Sequence, residues 1–287
     1  MAGNGTVGFD YVRPKDWREA TRLLAEPGAA AKMGGCEVLM RLRAGRLKAQ
    51  LLVGLNDLPG VDELSFSSGG VRIGAAVTLA QLSSAPEFVR RWPIIAQVMG
   101  RVASPAIRGA ATVVGNIAQG WGVGDLVPLF VVCDAQLEIY SSSGQRTVSV
   151  AEYAKTPGTG ALAKGEIISA LLLKIPDVET RLAYERFSFK NAFDLPLVSV
   201  AIAGLMKGDH CNDVRIAAVG AGRMPSRSEA AEDIIKGRNL ESELIEKAGL
   251  AIGRWANPPN DFRASSEYRR HLLITMLRRA LPKLTAA

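Results

Sequence analysis

Two short stretches of the 287-residue sequence carry residue types suited to holding an anion through the backbone. In Met33-Gly34-Gly35-Cys36-Glu37 a glycine pair stands where a strand-like run, 30–33, passes into a helical one, 38–43. Glycines let a backbone approach a pyrophosphate closely, and the amides of a strand-to-helix turn offer several donors to its oxygens. On these residues alone a plain tight turn is the simpler reading. Thr112-Val113-Val114-Gly115-Asn116 has the same character, with a hydroxyl, a glycine and an amide side chain inside a loop-like stretch, 112–124. Asp125 follows; its carboxylate suits a sugar hydroxyl or, equally, caps a helix beginning at Leu126. Arg108 reads as an anion contact or, more simply, as a solvated charge.

Other chemistries lack their residues. Cys36 sits in a Gly-rich stretch with no histidine nearby, and a thiol without a base or a lowered pKa is inert. Cys36, Cys133 and Cys211 are scattered and odd in number, which points to a reducing compartment and cannot supply four ligands to an iron–sulfur cluster. With His210 and His271 the only histidines, a zinc site is improbable, and no acid–base pair or triad stands out. No catalytic and no metal residue is therefore expected, and redox chemistry would need an organic cofactor. The N-terminal Gly3-Asn4-Gly5-Thr6-Val7-Gly8 matches GxGxxG, but no strand can precede it, so a floppy terminus is expected. The net charge of +7 comes from basic residues mixed with acids. It suits an anionic cofactor or an acidic partner surface, and no nucleic-acid motif accompanies it. The apolar runs 126–133 and 196–206 fall far short of the ~20 residues of a membrane span. No secretory signal is visible, so a soluble, cytoplasmic chain is expected.

The elements that must position these residues read as α+β. A strand at 9–12 and a helix opened by Asp16 and Glu19 as a capping box precede the glycine pair, and 50–53 closes a small β-α-β-α-β unit. Strands at 64–66 and 71–75, helical patterns at 79–83 and 94–101, a hairpin at 136–140 and 146–150, and a strand at 167–175 predict an antiparallel sheet with helices. Beyond Pro176, strands at 184–189, 199–206 and 214–219 predict a three-stranded antiparallel meander, followed by helices at 226–236, 241–252 and 267–281. Two domains follow: 1–176, with subdomains of about 1–58 and 59–176, and 177–287.

The order of these pieces resembles the medium, FAD-binding subunit of the molybdenum hydroxylases, the carbon monoxide dehydrogenase and xanthine dehydrogenase family. The likeness spans essentially the whole chain: FDYVRPKDWREATRLLAE, KMGGCEVLMRLR, LVGLNDLPGVDEL, VRIGAAVTLAQL, ASPAIRGAATVVGNIAQ followed by Asp125, EIISALLLKIP, RFSFKNAFDLPLVSVA and ASSEYRRHLLITMLRRAL. The resemblance implies that backbone amides from Lys32 through Val38 and Leu39 wrap the FAD pyrophosphate. It places the second FAD loop on Thr112, Val113, Val114, Gly115 and Asn116, a ribityl- or phosphate-side carboxylate on Asp125, and a residue beside the isoalloxazine on Val102. Further contacts fall on Ile168 and on Arg186 or Lys190.

Three departures stand out. Cys36 and Glu37 replace the family's usual His or Gln and Ser or Thr, and Glu37 brings negative charge toward the pyrophosphate. Val114 replaces the first glycine of the second loop, and Trp121-Gly122-Val123-Gly124 replaces a stretch commonly carrying Ser-Pro. Backbone recognition tolerates side-chain changes, so FAD remains the expected cofactor, held more weakly or in a shifted pose. By resemblance the chain works in a heterotrimer with a large molybdopterin subunit and a small two-[2Fe–2S] subunit, its FAD passing electrons to NAD, a quinone or oxygen. Two rivals are a stand-alone flavin oxidoreductase of the same fold and a basic binding protein whose flavin loops have decayed.

Overall fold

The computed structural model describes residues 8–120, 124–157, 161–190 and 194–285. Helix α1 (Trp17–Leu24) starts where the Glu19 amide donates to the Asp16 carboxylate at 2.8 Å. The Glu19 carboxylate reaches back to the Lys15 amide, one residue short of the expected capping box. Strands β1 (Asp10–Val12), β2 (Ala29–Lys32) and β3 (Leu51–Gly54) form a parallel sheet of order β1-β3-β2, with helix α2 (Cys36–Arg43) leaving the end of β2. Lys32 pairs with Gly54 at the C-terminal edge of this sheet, the edge where open parallel sheets bind ligands.

A second, antiparallel sheet follows, built from β4 (Leu64–Phe66), β5 (Gly70–Gly74), β6 (Gln136–Ser141), β7 (Gly144–Ser149) and β8 (Ile167–Lys174) in the order β4-β5-β8-β6-β7. Between β5 and β6 run α3 (Leu79–Ser84), α4 (Pro86–Arg91), α5 (Pro93–Met99), α6 (Pro105–Ala110), α7 (Val113–Ala118) and α8 (Leu126–Val132), and α9 (Val150–Tyr153) follows β7. The stretch expected as loop at 112–124 thus contains α7. The correction has a local cause: Thr112 Oγ1 accepts from the Gly115 amide at 2.9 Å and caps the helix. Two tertiary bonds hold it in place, Val113 N to Val77 O at 3.0 Å and Leu79 N to Ala111 O at 2.9 Å.

The expected meander is β9 (Thr180–Phe187), β10 (Val198–Lys207) and β11 (His210–Val219). Two-residue strands β12 (Ser226–Arg227) and β13 (Arg238–Asn239) also pair with β11, so the sheet has five strands. Helix α10 (Glu229–Ile235) accordingly begins later than expected, because Ser226 and Arg227 pair with Ala218 and Ala217. Helices α11 (Ser242–Trp255) and α12 (Ser266–Ala280) follow, and a 3-10 turn, Leu281–Leu284, continues from α12.

Successive strand residues point to opposite faces, and this alternation divides β10. Val198, Val200 and Ile202 join the core made with α10, α11 and α12, while Ala201 and Ala203 belong to the core of the preceding domain. Helix α8, buried at all seven positions, packs on this alanine face. A helix apolar all round must be covered all round, and small side chains on the sheet let it approach.

In the second sheet the central strand β8 carries Ser169 between two charged neighbours. Arg72 reaches Glu138 at 2.7 Å, and Ser169 Oγ donates to the same carboxylate oxygen at 2.6 Å. Burial pushes the Glu138 carboxyl up, but the Arg72 and Ser169 hydrogen bonds outweigh it and hold the group below its ordinary value. A lowered carboxylate contributes stability that is present above the unfolded value, about 4.3, and is lost as pH falls through the folded one. Arg72→Met is expected to lower stability by about 1–3 kcal/mol at neutral pH. In urea titrations across pH the gap to the unaltered protein should close below about pH 4; a gap unchanged into the acid range would contradict this assignment.

Candidate functional site

Helix α2 begins at Gly35, whose φ of 81° lies in the left-handed region that glycine adopts without strain. No side chain caps this helix. The amides of its first turn, at Cys36, Glu37 and Val38, have no intrahelical partner and stand at the positive end of the helix dipole. Gly34 brings the two glycine-bearing stretches together: a Cβ there would lie 2.1 Å from the carbonyl oxygen of Ala110, two residues before Thr112. Any side chain at 34 would separate them.

Lys32 adds a charge to this helix start. Its Cε would sit 3.2 Å from a Cβ on Gly35, and its Nζ lies 3.5 Å from Asn56 Oδ1 and 6.0 Å from the centroid of the Tyr11 ring. No carboxylate pairs with it among the described residues. Met33 and Val38 are half-buried and Leu39 is exposed.

In the second stretch Gly115 is required by the cap itself, since a Cβ would stand 2.7 Å from Thr112 Oγ1. Val113 and Val114 are buried in the core. The valine that replaces a family glycine is therefore absorbed by packing. Arg108 is held within its own turn: its guanidinium donates to the carbonyls of Val102 at 3.0 Å and Ala103 at 2.7 Å. It staples a turn in which Ala103 takes a φ of 46°, and so fixes the half-buried Val102.

Asp125 precedes α8 but caps nothing with its side chain. It is almost wholly buried, and the Tyr184 hydroxyl donates to its Oδ1 at 2.5 Å while the Arg186 guanidinium stands 3.4 Å from its Oδ2. Burial pushes the Asp125 carboxyl up, opposed by Arg186 and Tyr184; burial and then Asp125 push the Tyr184 phenol well above its ordinary value. Arg186 also donates to the Asp194 carbonyl at 2.7 Å. Lys190 is exposed and joins this group only through Asp194, whose carboxylate accepts from its amide at 3.1 Å. Ile168 is a core residue of β8, the strand against which α7 packs. Tyr184 was not singled out from sequence. Its alternation with Leu182 and Arg186 on β9 marks a shared face but not what that face meets. Residues 3–7 and Trp121-Gly122-Val123 lie outside the described residues.

Three candidate residues carry a buried polar atom with no protein partner: Glu37 Oε1, Asn116 Oδ1 and Arg186 Nε. Such atoms cost free energy unless something satisfies them. Of these only Arg186 Nε is a donor, and the two oxygens call for a donor such as a hydroxyl or amine; the uncapped α2 amides beside Lys32 are the part that suits an anion. A separate surface cleft lined by His210, Gly237, Arg238, Asn239, Glu241 and Lys247 contains none of these residues.

The comparisons with known proteins point the same way. Residues 7–177 match the family model "FAD binding domain in molybdopterin dehydrogenase", and residues 183–284 match "CO dehydrogenase flavoprotein C-terminal domain". The chain is 28% identical over 280 residues to the xanthine dehydrogenase FAD-binding subunit of Escherichia coli O157:H7, covering 96% of each chain. It is equally similar, at 28% over 280 residues and 97% of each chain, to the carbon monoxide dehydrogenase medium chain of Afipia carboxidovorans. A chain in the solved structure of the Hydrogenophaga pseudoflava carbon monoxide dehydrogenase superposes with a TM-score of 0.93 at 25% identity, over 97% of this chain and 98% of that one.

Glu37 is the element of the site that opposes an anion. With a pyrophosphate against the α2 amides, Glu37→Ser is expected to tighten FAD binding by on the order of 1 kcal/mol at an effective dielectric near 20, less as salt screens it. Flavin-fluorescence titration at low and moderate salt measures this. Identical affinities at every salt concentration would place the Glu37 charge away from the bound anion.

Proposed function

The chain belongs to the family of FAD-binding domains of molybdopterin dehydrogenases, and on that premise we propose that it binds one FAD non-covalently and relays electrons. In this reading its partners are a large molybdopterin subunit and a small subunit with two [2Fe–2S] clusters. Electrons arrive from those clusters and leave to an acceptor such as NAD, a quinone or oxygen. The flavin supplies the redox chemistry when bound, and the protein supplies orientation and electrostatics.

Each group in the chain has a part in this reading. Lys32, Met33, Gly34, Gly35, Cys36, Glu37, Val38 and Leu39 wrap the pyrophosphate, chiefly through backbone amides, with the Lys32 ammonium nearby as counter-charge. Thr112 to Asn116 form the second wall, and Asn116 turns its unsatisfied oxygen to the cofactor. Val102, fixed by Arg108, and Ile168 shape the apolar side near the ring, while Asp125, Arg186 and Lys190 supply polar contacts. The division at residue 176, with an inner boundary near 58, belongs to the same reading. It is supported by strand pairing, since among the described residues none of the three sheets crosses either position. No helix among the described residues is long and apolar enough to cross a membrane, and we place the complex in the cytoplasm because the three cysteines are free.

The observation that supports the reading is the uncapped start of α2 at Gly34-Gly35, with Lys32 beside it and the Ala110 backbone packed against it, inside the span that matches the FAD-binding family model. Denaturing the purified protein should release FAD into the supernatant, about one per chain, because no histidine stands near the site to form a flavin bond. Flavin that stays with the precipitate, or none at all after reconstitution, would contradict it.

A further inference from the structure

The polar group around Asp125 joins two domains. Asp125 lies at the start of α8, in the FAD-binding part, whereas Tyr184 and Arg186 stand two residues apart on β9, on the face that α8 meets. The cross-strand partners of these residues, Ala201 and Ser199, are respectively a small residue that admits α8 and a buried hydroxyl. Both oxygens of the Asp125 carboxylate are thus engaged by the C-terminal domain, and Arg186 keeps one buried N–H unsatisfied.

A carboxylate so held cannot keep its place if β9 moves away, and a lone buried charge without its partners is strongly unfavourable. We propose that Tyr184 is a positioning residue: its hydroxyl, with Arg186, holds Asp125 in the FAD site from across the domain boundary, so FAD binding and docking of the C-terminal domain are coupled. The proposal rests on the FAD reading above and extends it to a residue that touches Asp125, with no contact to the cofactor assigned to it. By linkage the coupling is reciprocal: docking strengthens FAD binding, and FAD strengthens docking.

The test uses the full chain and four forms of it: unaltered, Tyr184→Phe, Asp125→Asn and the double variant. Tyr184→Phe keeps the ring and removes only the donated hydrogen bond. FAD dissociation constants come from flavin fluorescence, and FAD-induced protection of β9 amides comes from hydrogen exchange. Tyr184→Phe should weaken FAD binding about tenfold, the scale of a hydrogen bond to a charged group, and should remove most of the FAD-induced protection of β9. In the Asp125→Asn background the same change should have little further effect, since the residues act as one unit. A purely structural tyrosine would instead give losses that add and leave the protection pattern unchanged; either result overturns the proposal. Unaltered FAD affinity in Tyr184→Phe would overturn it as well. An unaltered chain with no FAD affinity would overturn the FAD reading, and this proposal with it.

Discussion

The arrangement of this molecule depends on how one short, wholly apolar helix is covered. Every residue of α8 is buried. One side of it packs on α5, α7 and α9, the other on β10 and β11 of the C-terminal sheet. An aspartate stands at each end, and each is met by cations of that sheet: Asp125 by Arg186, with Tyr184, and Asp134 by Arg215. An acid after a helix C-terminus opposes the dipole, and the half-exposed Asp134–Arg215 pair contributes less than the buried Asp125 group. Cys133, beside this second clasp, is inert: burial pushes its thiol up to about 12 despite Arg215. Apolar burial thus brings the two domains together, and the paired charges set their register.

The two candidate stretches lean on the same frame. The Gly34 backbone lies against Ala110, α6 runs into the Thr112 cap, and α7 packs on α8. If these stretches bind through backbone amides, as proposed, the side chains at Cys36, Glu37 and Val114 are free to vary while the fold persists. Val114 is taken up by the core, and only Glu37 retains a cost, visible as its unpartnered oxygen. The C-terminal domain is not an appendage to this site, because it supplies the partners of Asp125.

Much of this was legible in the residues. A glycine pair between a strand and a helix has a local cause, since the left-handed turn at Gly35 needs a glycine. The second stretch was legible as a candidate but not as a helix. Val113, Val114 and Gly115 are weak helix formers, and α7 exists because Val77, Ala111 and the Thr112 hydroxyl hold it. Strands of two residues, such as β12 and β13, are shorter than any periodicity can register. The least legible feature was the pairing of Asp125 with Tyr184: alternation on β9 shows that Tyr184 and Arg186 share a face, but only the tertiary fold shows that α8 lies against it. For the same reason Arg108 read as a solvated charge, whereas it staples the backbone of its own turn.

A relay and a self-sufficient flavin enzyme differ in whether the chain alone can reduce its flavin with the organic substrate. The most direct measurement is anaerobic bleaching of the bound flavin near about 450 nm, where the oxidised cofactor that carries the redox chemistry absorbs. It is made with the organic substrate of the complex, in the absence and then the presence of the molybdenum and iron–sulfur subunits. The account predicts no bleaching by the isolated FAD-loaded chain and full bleaching once the partners are added. Bleaching by the isolated chain would contradict it and make this a self-sufficient flavin enzyme.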